Sequence, residues 1–339
     1  MKKAMGWIVL LFVLGMTMSG YCQGLKNSGL FPVKQGSLYG YINQEGKIVI
    51  NYQFPRATLF AEELAAVKAD GGWGFIDTSG KFVIRPMFDD AQPFSDGLAV
   101  IKMGNIFTGK YGFVNKNGVM AVTPQYSQVN AFAEDMAAVV IDKRWGYINK
   151  EGKVVINPQF DDAQPFSGGL ALVRIGSALS GKYGFIDHTG KYIINPQYAK
   201  ATGFANERAA VKAEKAWGYL DPTGKMVIAP QYDEAFAFSE GMARVKIGNI
   251  LSGKYGYVDI NGKLIVNPQF DNAADFSDGM AAVKVGQKWG YIDTTGKIVI
   301  NPQFIKVEPF IDGLAQVTVG ELSGYIDKNG KFIWQTINN

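Results

Sequence analysis

Short runs of alternating hydrophobic and polar residues, bounded by glycine or proline, recur along the chain. In one typical unit, the runs Trp289–Asp293 and Ile298–Ile300 flank a turn in which Gly296 supplies the positive φ of a tight hairpin. Pro302 ends the second run because proline lacks the N–H that a ladder needs, and a third run, Leu314–Thr318, follows after a link. This pattern, without sustained helical periodicity, predicts a three-stranded antiparallel meander.

A five-residue string, aromatic-Gly-aromatic-aliphatic-Asp/Asn, marks the repeats. Copies begin at residues 39, 73, 111, 145, 183, 217, 255 and 289, and a partial copy without the leading aromatic residue begins at 323. Successive starts are 34 or 38 residues apart, and Tyr alternates with Trp at the first position, so the larger unit spans 72 residues. The segment from Gly29 matches the third run of the unit, and the last copy ends just after a return strand. The sequence therefore contains nine whole units.

Nine such units predict an all-β tandem array in which each meander packs on its neighbours. Closed propellers typically have about four to eight blades, and neither terminus holds a fragment that the other would complete. We therefore expect an open twisted superhelix, with a closed propeller-like ring as the alternative. In the third run, the Ala and Val positions, such as Ala65 and Val67, are expected to face inward and the varying residue between them outward.

The amino-terminal segment has the pattern of a secretory signal. Lys2 and Lys3 precede an apolar run, and Gly20 and Cys22 are compatible with cleavage before Gln23. We expect a signal peptide over residues 1–22 and a single repeat array over 23–339, exported to the periplasm, the outer membrane or the extracellular space. The alternative is a lipoprotein acylated on Cys22. The apolar run is short for a membrane span, so no transmembrane span is expected in the mature chain.

Charge and reactive residues narrow the function classes. The chain has 34 basic and 30 acidic residues, and this small excess provides no field for nucleic acid or an anionic membrane. With one cysteine and His188 as the single histidine, no catalytic triad, thiol nucleophile or ordinary zinc site can be assembled. Acidic pairs such as Asp89-Asp90 are interpreted as link-stabilising residues and not as glycosidase carboxylates. We expect no enzyme activity, no cofactor and no metal.

The consensus Trp-Gly-Tyr-Ile-Asp-x-x-Gly-Lys-x-Val-Ile-x-Pro-Gln-Phe-Asp-x-Ala-x-x-Phe-Ser-x-Gly-Leu-Ala-x-Val-Lys resembles the WG-repeat family of bacterial proteins. Residues 145–174 and 289–318 contain it nearly in full, and the resemblance covers residues 39–334. It implies a recognition or scaffolding module without an assigned catalytic motif. The departures are mild: Tyr replaces Trp in every odd unit through Tyr255, and Arg208 replaces the usual Leu or Met.

Three segments, residues 104–110, 176–182 and 248–254, have the Gly-x4-Gly-Lys spacing of a phosphate loop. Tyr follows each lysine where a nucleotide loop needs Ser or Thr, and it opens a strand and not a helix. We interpret them as lengthened hairpin loops, which explains the 38-residue intervals. Because they break the repeat once per 72 residues, they are the candidate partner-binding loops. The candidate residues are Ile106, Phe107, Lys110, Leu179, Lys182, Ile250, Leu251 and Lys254.

The aromatic residues fall into two regular series. The phenylalanine series is predicted to be core: Phe60, Phe94, Phe132, Phe166, Phe204, Phe238, Phe276 and Phe310. Trp73, Trp145, Trp217 and Trp289 begin strands and are expected to pack between units, with sugar stacking as the alternative. Together, the sequence favours a non-catalytic exported scaffold that binds a protein or glycan at the cell envelope. The alternatives are an envelope hydrolase acting on glycan or peptide, or a self-assembling structural element.

Overall fold

A computed structural model describes residues 28–105, 107–249 and 251–337. The predicted signal peptide, residues 1–22, lies outside the described residues. The described residues form nine separate sheets, each of three or four antiparallel strands. Throughout this part of the chain the regular structure is entirely β, and no helix long and apolar enough to cross a membrane is present.

We call each sheet a blade and number the blades in chain order. Blade 1 contains β1 (Leu30–Gln35), β2 (Leu38–Asn43) and β3 (Ile48–Phe54). Blade 2 contains β4 (Arg56–Ala57), β5 (Ala65–Ala69), β6 (Gly72–Ile76) and β7 (Phe82–Phe88). Blade 3 contains β8 (Asp90–Ser95), β9 (Leu98–Met103), β10 (Lys110–Asn115) and β11 (Met120–Tyr126). Blades 4 to 6 contain β12 (Met136–Ile141), β13 (Arg144–Asn149), β14 (Val154–Phe160); β15 (Asp162–Ser167), β16 (Leu170–Ile175), β17 (Lys182–Ile186), β18 (Tyr192–Tyr198); and β19 (Ala209–Ala213), β20 (Ala216–Leu220), β21 (Met226–Tyr232). Blades 7 to 9 contain β22 (Glu234–Ser239), β23 (Met242–Ile247), β24 (Lys254–Asp259), β25 (Leu264–Phe270); β26 (Asn272–Ala273), β27 (Met280–Val285), β28 (Lys288–Asp293), β29 (Ile298–Phe304); and β30 (Lys306–Val307), β31 (Ala315–Val319), β32 (Leu322–Ile326), β33 (Phe332–Ile337).

A full blade has four strands in sequential order. In blade 8 these are the short strand β26, the Ala/Val strand β27, the aromatic strand β28 and the return strand β29. The last three form the predicted meander. The predicted link contains the short strand, which six blades form and which blades 4 and 6 reduce to the single bridges Val129↔Val139 and Ala201↔Val211. The sequence did not predict these short strands because they are polar or interrupted by proline, as at Pro93 in β8.

The ninth blade packs on the first, so the array is a closed nine-bladed β-propeller. Phe31 and Val33 of blade 1 share a buried cluster with Leu314 and Tyr325 of blade 9. The Tyr325 hydroxyl also donates a hydrogen bond to the Pro32 carbonyl oxygen over 3.1 Å. The expected open superhelix is wrong, and the alternative of a closed ring is confirmed. The expectation failed because it required strand exchange for closure, whereas side-chain packing joins the described ends.

The glycine of the five-residue string allows the return strand to approach the aromatic strand. In blade 8, Trp289 pairs with Phe304 but Tyr291 pairs with Ile300, so the return strand contains two extra residues opposite Gly290. A Cβ at Gly290 would lie only 2.4 Å from the Ile300 carbonyl oxygen. Glycine is therefore required by close backbone approach at this bulge.

The core lies between blades. Phe310 of blade 9 is completely buried and packs edge-on against Tyr291 of blade 8, with ring centroids 4.8 Å apart. The varying residue of the Ala/Val strand is also buried in most blades, as at Ala66 and Ala138, both 0 % exposed. The expectation that this position faces outward is wrong, because each blade is covered by a neighbour on both faces. Gln316 of blade 9 is the exposed exception.

Candidate binding face

The hairpins of the ring alternate between two faces. One face is formed by the hairpins that connect each Ala/Val strand to its aromatic strand, together with the segments that connect each return strand to the next blade. We call it the loop face. On this face, blades 3, 5 and 7 have the long hairpin loops 104–109, 176–181 and 248–253. In a nine-bladed ring, these alternate blades lie about 80° apart. The three candidate loops therefore project from the same side of the molecule.

Hydrogen bonds within each loop fix its shape. In the first loop, the Gly104 N–H donates to Asp89 Oδ2 over 2.7 Å. Asn105 Oδ1 accepts the N–H groups of Phe107 and Thr108 over 2.8 and 2.9 Å. The same contacts recur in the third loop, where Asp233 and Asn249 are the acceptors. In the second loop, Asp161 accepts the Gly176 N–H over 2.7 Å and Ser177 Oγ accepts the Ser180 N–H over 3.2 Å.

The two glycines of the Gly-x4-Gly-Lys spacing also have a structural role. Gly104 adopts φ 98°, and a Cβ there would lie 2.9 Å from the Cα of Gly109. The strands β9 and β10 pair directly on either side of the loop, with Met103 opposite Lys110. The spacing thus follows from a narrow loop neck, which is the lengthened hairpin that the sequence predicts.

The described tips of the three loops are almost fully exposed. Phe107 is 93 %, Leu179 100 % and Leu251 97 % exposed. The neighbouring candidates Ile106 and Ile250 lie outside the described residues. A single exposed apolar residue is common on a protein surface, but these three occupy equivalent positions in equivalent loops. The loops are therefore accessible, and partner binding by them stays a prediction.

The loop stems contain the three candidate lysines. Lys110 and Lys182 are exposed, and Lys254 is partly buried and paired with Asp271. This pairing lowers the pKa of the Asp271 carboxyl, chiefly through the hydrogen bond from Lys254. Each stem thus places a cation just below an apolar tip.

A second row of cations lies on the Ala/Val strands beneath the loops. The Nζ atoms of Lys102 and Lys246 each lie 5.4 Å from the ring centroid of the stem tyrosine, Tyr111 or Tyr255. Lys246 is buried and lies 3.5 Å from Glu234 Oε1. These contacts are within the range of cation–π attraction and lie at the base of the first and third loops.

A groove of about 680 Å³ lies between blades 6 and 7, beside the third loop. Its lining includes Lys212 and Lys215 of blade 6 together with Leu251 and Ser252 of the loop. Sequence reasoning did not identify the two lysines as part of a site. They belong to the preceding repeat, and only the packing of blade 6 on blade 7 places them beside the loop.

The acidic pairs have structural roles, as expected. Asp161 accepts the Gly176 N–H over 2.7 Å and pairs with Arg144 over 2.6 Å. The backbone hydrogen bond is the main cause of a lowered pKa for the Asp161 carboxyl. Burial instead raises the pKa of its neighbour Asp162, against the opposing effect of Arg174. The two carboxyls therefore serve different contacts and do not face one another across a cleft.

The opposite face joins successive blades through charged turns. Asp96 of blade 3 accepts the Asp135 N–H over 2.6 Å and lies 2.8 Å from the Lys150 ammonium of blade 4. The hydrogen bond from Lys150 lowers the pKa of the Asp135 carboxyl. Asp278 of blade 8 makes the equivalent contacts to blade 9. These side chains connect successive blades on this face.

His188 replaces the lysine of this contact at the junction of blades 4 and 5. Its ring stacks on Phe166 with centroids 4.2 Å apart, and Nε2 lies 3.3 Å from Glu134 Oε2. Over the described ranges, no group of three or more His, Cys, Asp or Glu side chains is arranged to hold a metal ion. The histidine therefore has a packing role in the ring.

The sequence left two interpretations of the tryptophans open, packing between units and sugar stacking. Trp73, Trp145, Trp217 and Trp289 are partly buried and pack against the inter-blade clusters. The predicted packing role is confirmed. Their rings are not part of the groove lining beside the third loop.

Comparison with known proteins identifies the repeat. A family model described as WG containing repeat matches eight segments, residues 39–73, 73–105, 111–145, 145–177, 183–215, 217–249, 255–289 and 289–322. The resemblance inferred from the consensus is confirmed. No curated protein matches the chain.

Solved structures resemble the fold at low sequence identity. Dipeptidyl peptidase 4 of Porphyromonas gingivalis aligns with a TM-score of 0.56 at 9 % identity, over 82 % of this chain and 58 % of that one. PorZ, an essential surface component of the type-IX secretion system of the same organism, aligns with a TM-score of 0.33 at 11 % identity, over 93 % of this chain and 52 % of that one. The chain thus spans little more than half the length of either protein. The first likeness shows the fold alone.

Proposed function

The chain belongs to the WG containing repeat family, and from this membership we propose that it is a non-catalytic, exported scaffold that uses its loop face to bind a protein or glycan of the cell envelope. The observation that carries this proposal is the set of three exposed apolar tips, Phe107, Leu179 and Leu251. An array that presents several weak contacts at fixed spacing gains avidity without a deep pocket.

The reactive side chains support binding over catalysis. A general acid or base needs a free titratable group that reaches a substrate. Here the carboxylates of the loop face, such as Asp89 and Asp233, accept loop N–H groups. The single histidine is stacked and paired on the opposite face. The similarity to a dipeptidyl peptidase concerns the propeller and brings no catalytic residue to this chain.

A retention experiment tests the proposal. The mature protein, residues 23–339, is immobilised and exposed to detergent-solubilised envelope extract, and retained material is identified by mass spectrometry. A matched variant has each long loop shortened by four residues, which converts it to the two-residue turn that blades 4 and 6 already have. We expect the shortened variant to fold and to lose the retained component.

Two outcomes would contradict the proposal. If both proteins retain the same component, the loop face is not the binding site. If neither retains anything while the wild-type protein hydrolyses one of a panel of cell-wall glycans and peptides, the protein is an enzyme. The circular dichroism spectrum of the shortened variant must match the wild type, since an unfolded variant would lose binding for a trivial reason.

A further inference from the structure

We propose that the three loop tips insert into the surface of a lipid bilayer and hold the scaffold on it. The inference rests on the proposed function in one respect, the use of the loop face for binding. It adds a lipid surface as a second class of partner beside the protein or glycan of the proposed function. Four features of the loops carry it: apolar tips of differing shape, the absence of acidic residues from the loop segments, internal hydrogen bonds, and equivalent positions in the ring.

The apolar character of the tips is retained while their shape changes. The described tip residues are Phe107, Leu179 and Leu251. A protein pocket selects a side chain by shape, and an aromatic ring would not replace Leu in it without a loss of packing. A bilayer selects for apolar area alone. The variation between flat and branched side chains at the three tips therefore fits a lipid surface.

The charge of the loops fits lipid headgroups. Residues 104–110, 176–182 and 248–254 contain no Asp or Glu, and each segment ends in a lysine. Lys110 and Lys182 are exposed, and at the base of an inserted tip their stems would stay among apolar groups while their ammonium groups meet the headgroup phosphates. Lys254 is paired with Asp271 instead. The near-neutral total charge does not oppose this arrangement, because the lysines act at the headgroups over a short range and not through a field of the whole chain.

In the first and third loops, the tips satisfy their own backbone N–H groups. The N–H groups of Phe107 and Thr108 donate to Asn105 Oδ1, and those of Leu251 and Ser252 donate to Asn249 Oδ1. A loop that leaves water must pair its N–H groups internally, since an unpaired N–H is costly in an apolar medium. A loop that binds a protein or a sugar would instead gain from free donors. The internal hydrogen bonds of these two loops therefore favour an apolar environment for their tips.

The three loops have the same length and occupy equivalent positions in the ring. They belong to blades 3, 5 and 7, and each has four more residues than the short turns of blades 4 and 6. The acidic residues Asp70, Asp142 and Glu214 belong to such short turns. Because equal loops at equivalent positions on one face extend in the same direction, a flat surface can contact all three tips together. Simultaneous contact raises the affinity beyond that of any one tip.

Vesicle flotation tests the proposal directly. The probe is a set of vesicles of phosphatidylethanolamine and phosphatidylglycerol in a 3:1 ratio, mixed with the mature protein without any other protein. We expect the wild type to float with the vesicles, and the triple variant Phe107→Ser, Leu179→Ser, Leu251→Ser to partition at least about tenfold less. The double variant Lys110→Gln, Lys182→Gln is expected to lose about tenfold on these vesicles and little on phosphatidylcholine.

A matched control separates the tips from general surface apolarity. Val49, Val155 and Val299 lie at the start of the return strands in blades 1, 4 and 8 and are 47 %, 42 % and 41 % exposed. The triple variant of these valines to serine is expected to float like the wild type. Equal loss of flotation in the control would overturn the proposal, since the binding would then be non-specific.

A labelled tip reports insertion without relying on affinity. The mature chain has no cysteine once Cys22 is removed, so Leu179→Cys provides a single thiol for an environment-sensitive dye. We expect its fluorescence to rise on vesicle addition and the same dye on Val155→Cys to stay unchanged. A wild-type protein that does not float overturns the proposal. If that protein still retains a solubilised protein through its loops, the proposed function stands and the lipid inference fails.

Discussion

The ordinary junctions between blades and the junction that closes the ring use different residues for the same contacts. Between blades 8 and 9, Tyr291 packs on Phe310 with centroids 4.8 Å apart, and its hydroxyl donates to the Glu308 carbonyl over 2.8 Å. Between blades 9 and 1, Tyr325 packs on Phe31 at 5.4 Å and donates to Pro32. We call the second junction the seam.

The partner phenylalanine reaches the two junctions from different positions of the repeat. At ordinary junctions it comes from the series that includes Phe310, five residues before an alanine such as Ala315. Blade 1 has no member of that series among its described residues. Its Phe31 stands at the alanine position instead, and it is 1 % exposed. One substitution relative to the repeat therefore fills the space that a missing side chain would leave.

The turn contacts differ in the same way. At the junction of blades 8 and 9, the Lys328 ammonium lies 2.8 Å from Asp278 Oδ1. At the seam, the equivalent position is Gln44, whose Nε2 donates to the backbone carbonyl of Asp312 over 2.8 Å. The seam replaces an ion pair by a neutral hydrogen bond. Ring closure is thus encoded in departures from the repeat and not in the repeat itself.

The largest expected loss of stability follows from replacing the phenylalanine of the seam. Phe31→Ala should lower the free energy of unfolding by about 4 kcal/mol, because it restores the repeat residue and leaves a cavity beside Tyr325. Chemical denaturation measures the loss, and hydrogen exchange should show faster opening of β1 and β32 than of β19 and β20. A loss below about 1 kcal/mol would mean that Phe31 does not hold the ring closed.

The reverse substitution should harm an ordinary junction. Ala315→Phe places a second ring where Phe310 already fills the space, and overpacking of this kind costs about 2 to 3 kcal/mol. Combining it with Phe310→Ala should restore part of the loss, since the pair then copies the seam. Denaturation of the two single variants and the double variant measures this coupling. Strict additivity would show that the two positions do not share one space.

A smaller effect is expected from the tyrosine hydroxyls. Tyr325→Phe and Tyr291→Phe each remove one buried hydrogen bond and should each cost about 1 kcal/mol. The effect should be modest because blades 2, 3 and 5 already have phenylalanine at this position, as at Phe75. Thermal unfolding of both variants tests the comparison. A much larger loss for Tyr325→Phe would show that the seam depends on its hydroxyl more than an ordinary junction does.

Much of the blade could be predicted from the sequence because its determinants are local. The hairpin at Asp293 follows from Gly296 and from the side-chain acceptor: Asp293 Oδ1 takes the N–H groups of Thr295 and Lys297 over 2.9 and 3.1 Å. The phenylalanine series is predictable as core, since a large apolar residue that recurs in eight copies has few other uses, and all eight members are buried. The long loops were located because they interrupt a fixed period.

Closure and the burial of both blade faces could not be derived from local patterns. The seam joins Pro32 and Tyr325, which are 293 residues apart, so no local pattern shows that these two units meet. A visible signal did exist: Phe31 is the single departure from alanine at its position. A large side chain at a position that otherwise holds alanine indicates that its neighbour differs from the neighbours in the other units. At the seam, Phe31 fills the space that the phenylalanine series fills at ordinary junctions.

The smallest expected effect concerns the charge of Asp312 at the seam. Partial burial, and then repulsion from Asp278, raises the pKa of the Asp312 carboxyl. A raised pKa means that folding favours the protonated carboxyl. The Asp312 carboxyl therefore contributes fully to stability below the ordinary aspartate pKa of about 4, and this contribution is lost as the pH rises through the raised value. Asp312→Asn keeps the carbonyl that accepts from Gln44 and removes the charge. It should therefore raise the melting temperature by roughly 1 °C at pH 7 and leave it unchanged at pH 3.5.

Asp278→Asn, at the ordinary junction, should instead lower the melting temperature at pH 7, because the Asp278 carboxylate accepts hydrogen bonds from Gly313 and Lys328. Thermal scans of both variants at the two pH values decide the matter: equal signs at pH 7 would mean that the two carboxylates occupy equivalent environments and that the seam has no electrostatic distinction from the rest of the ring.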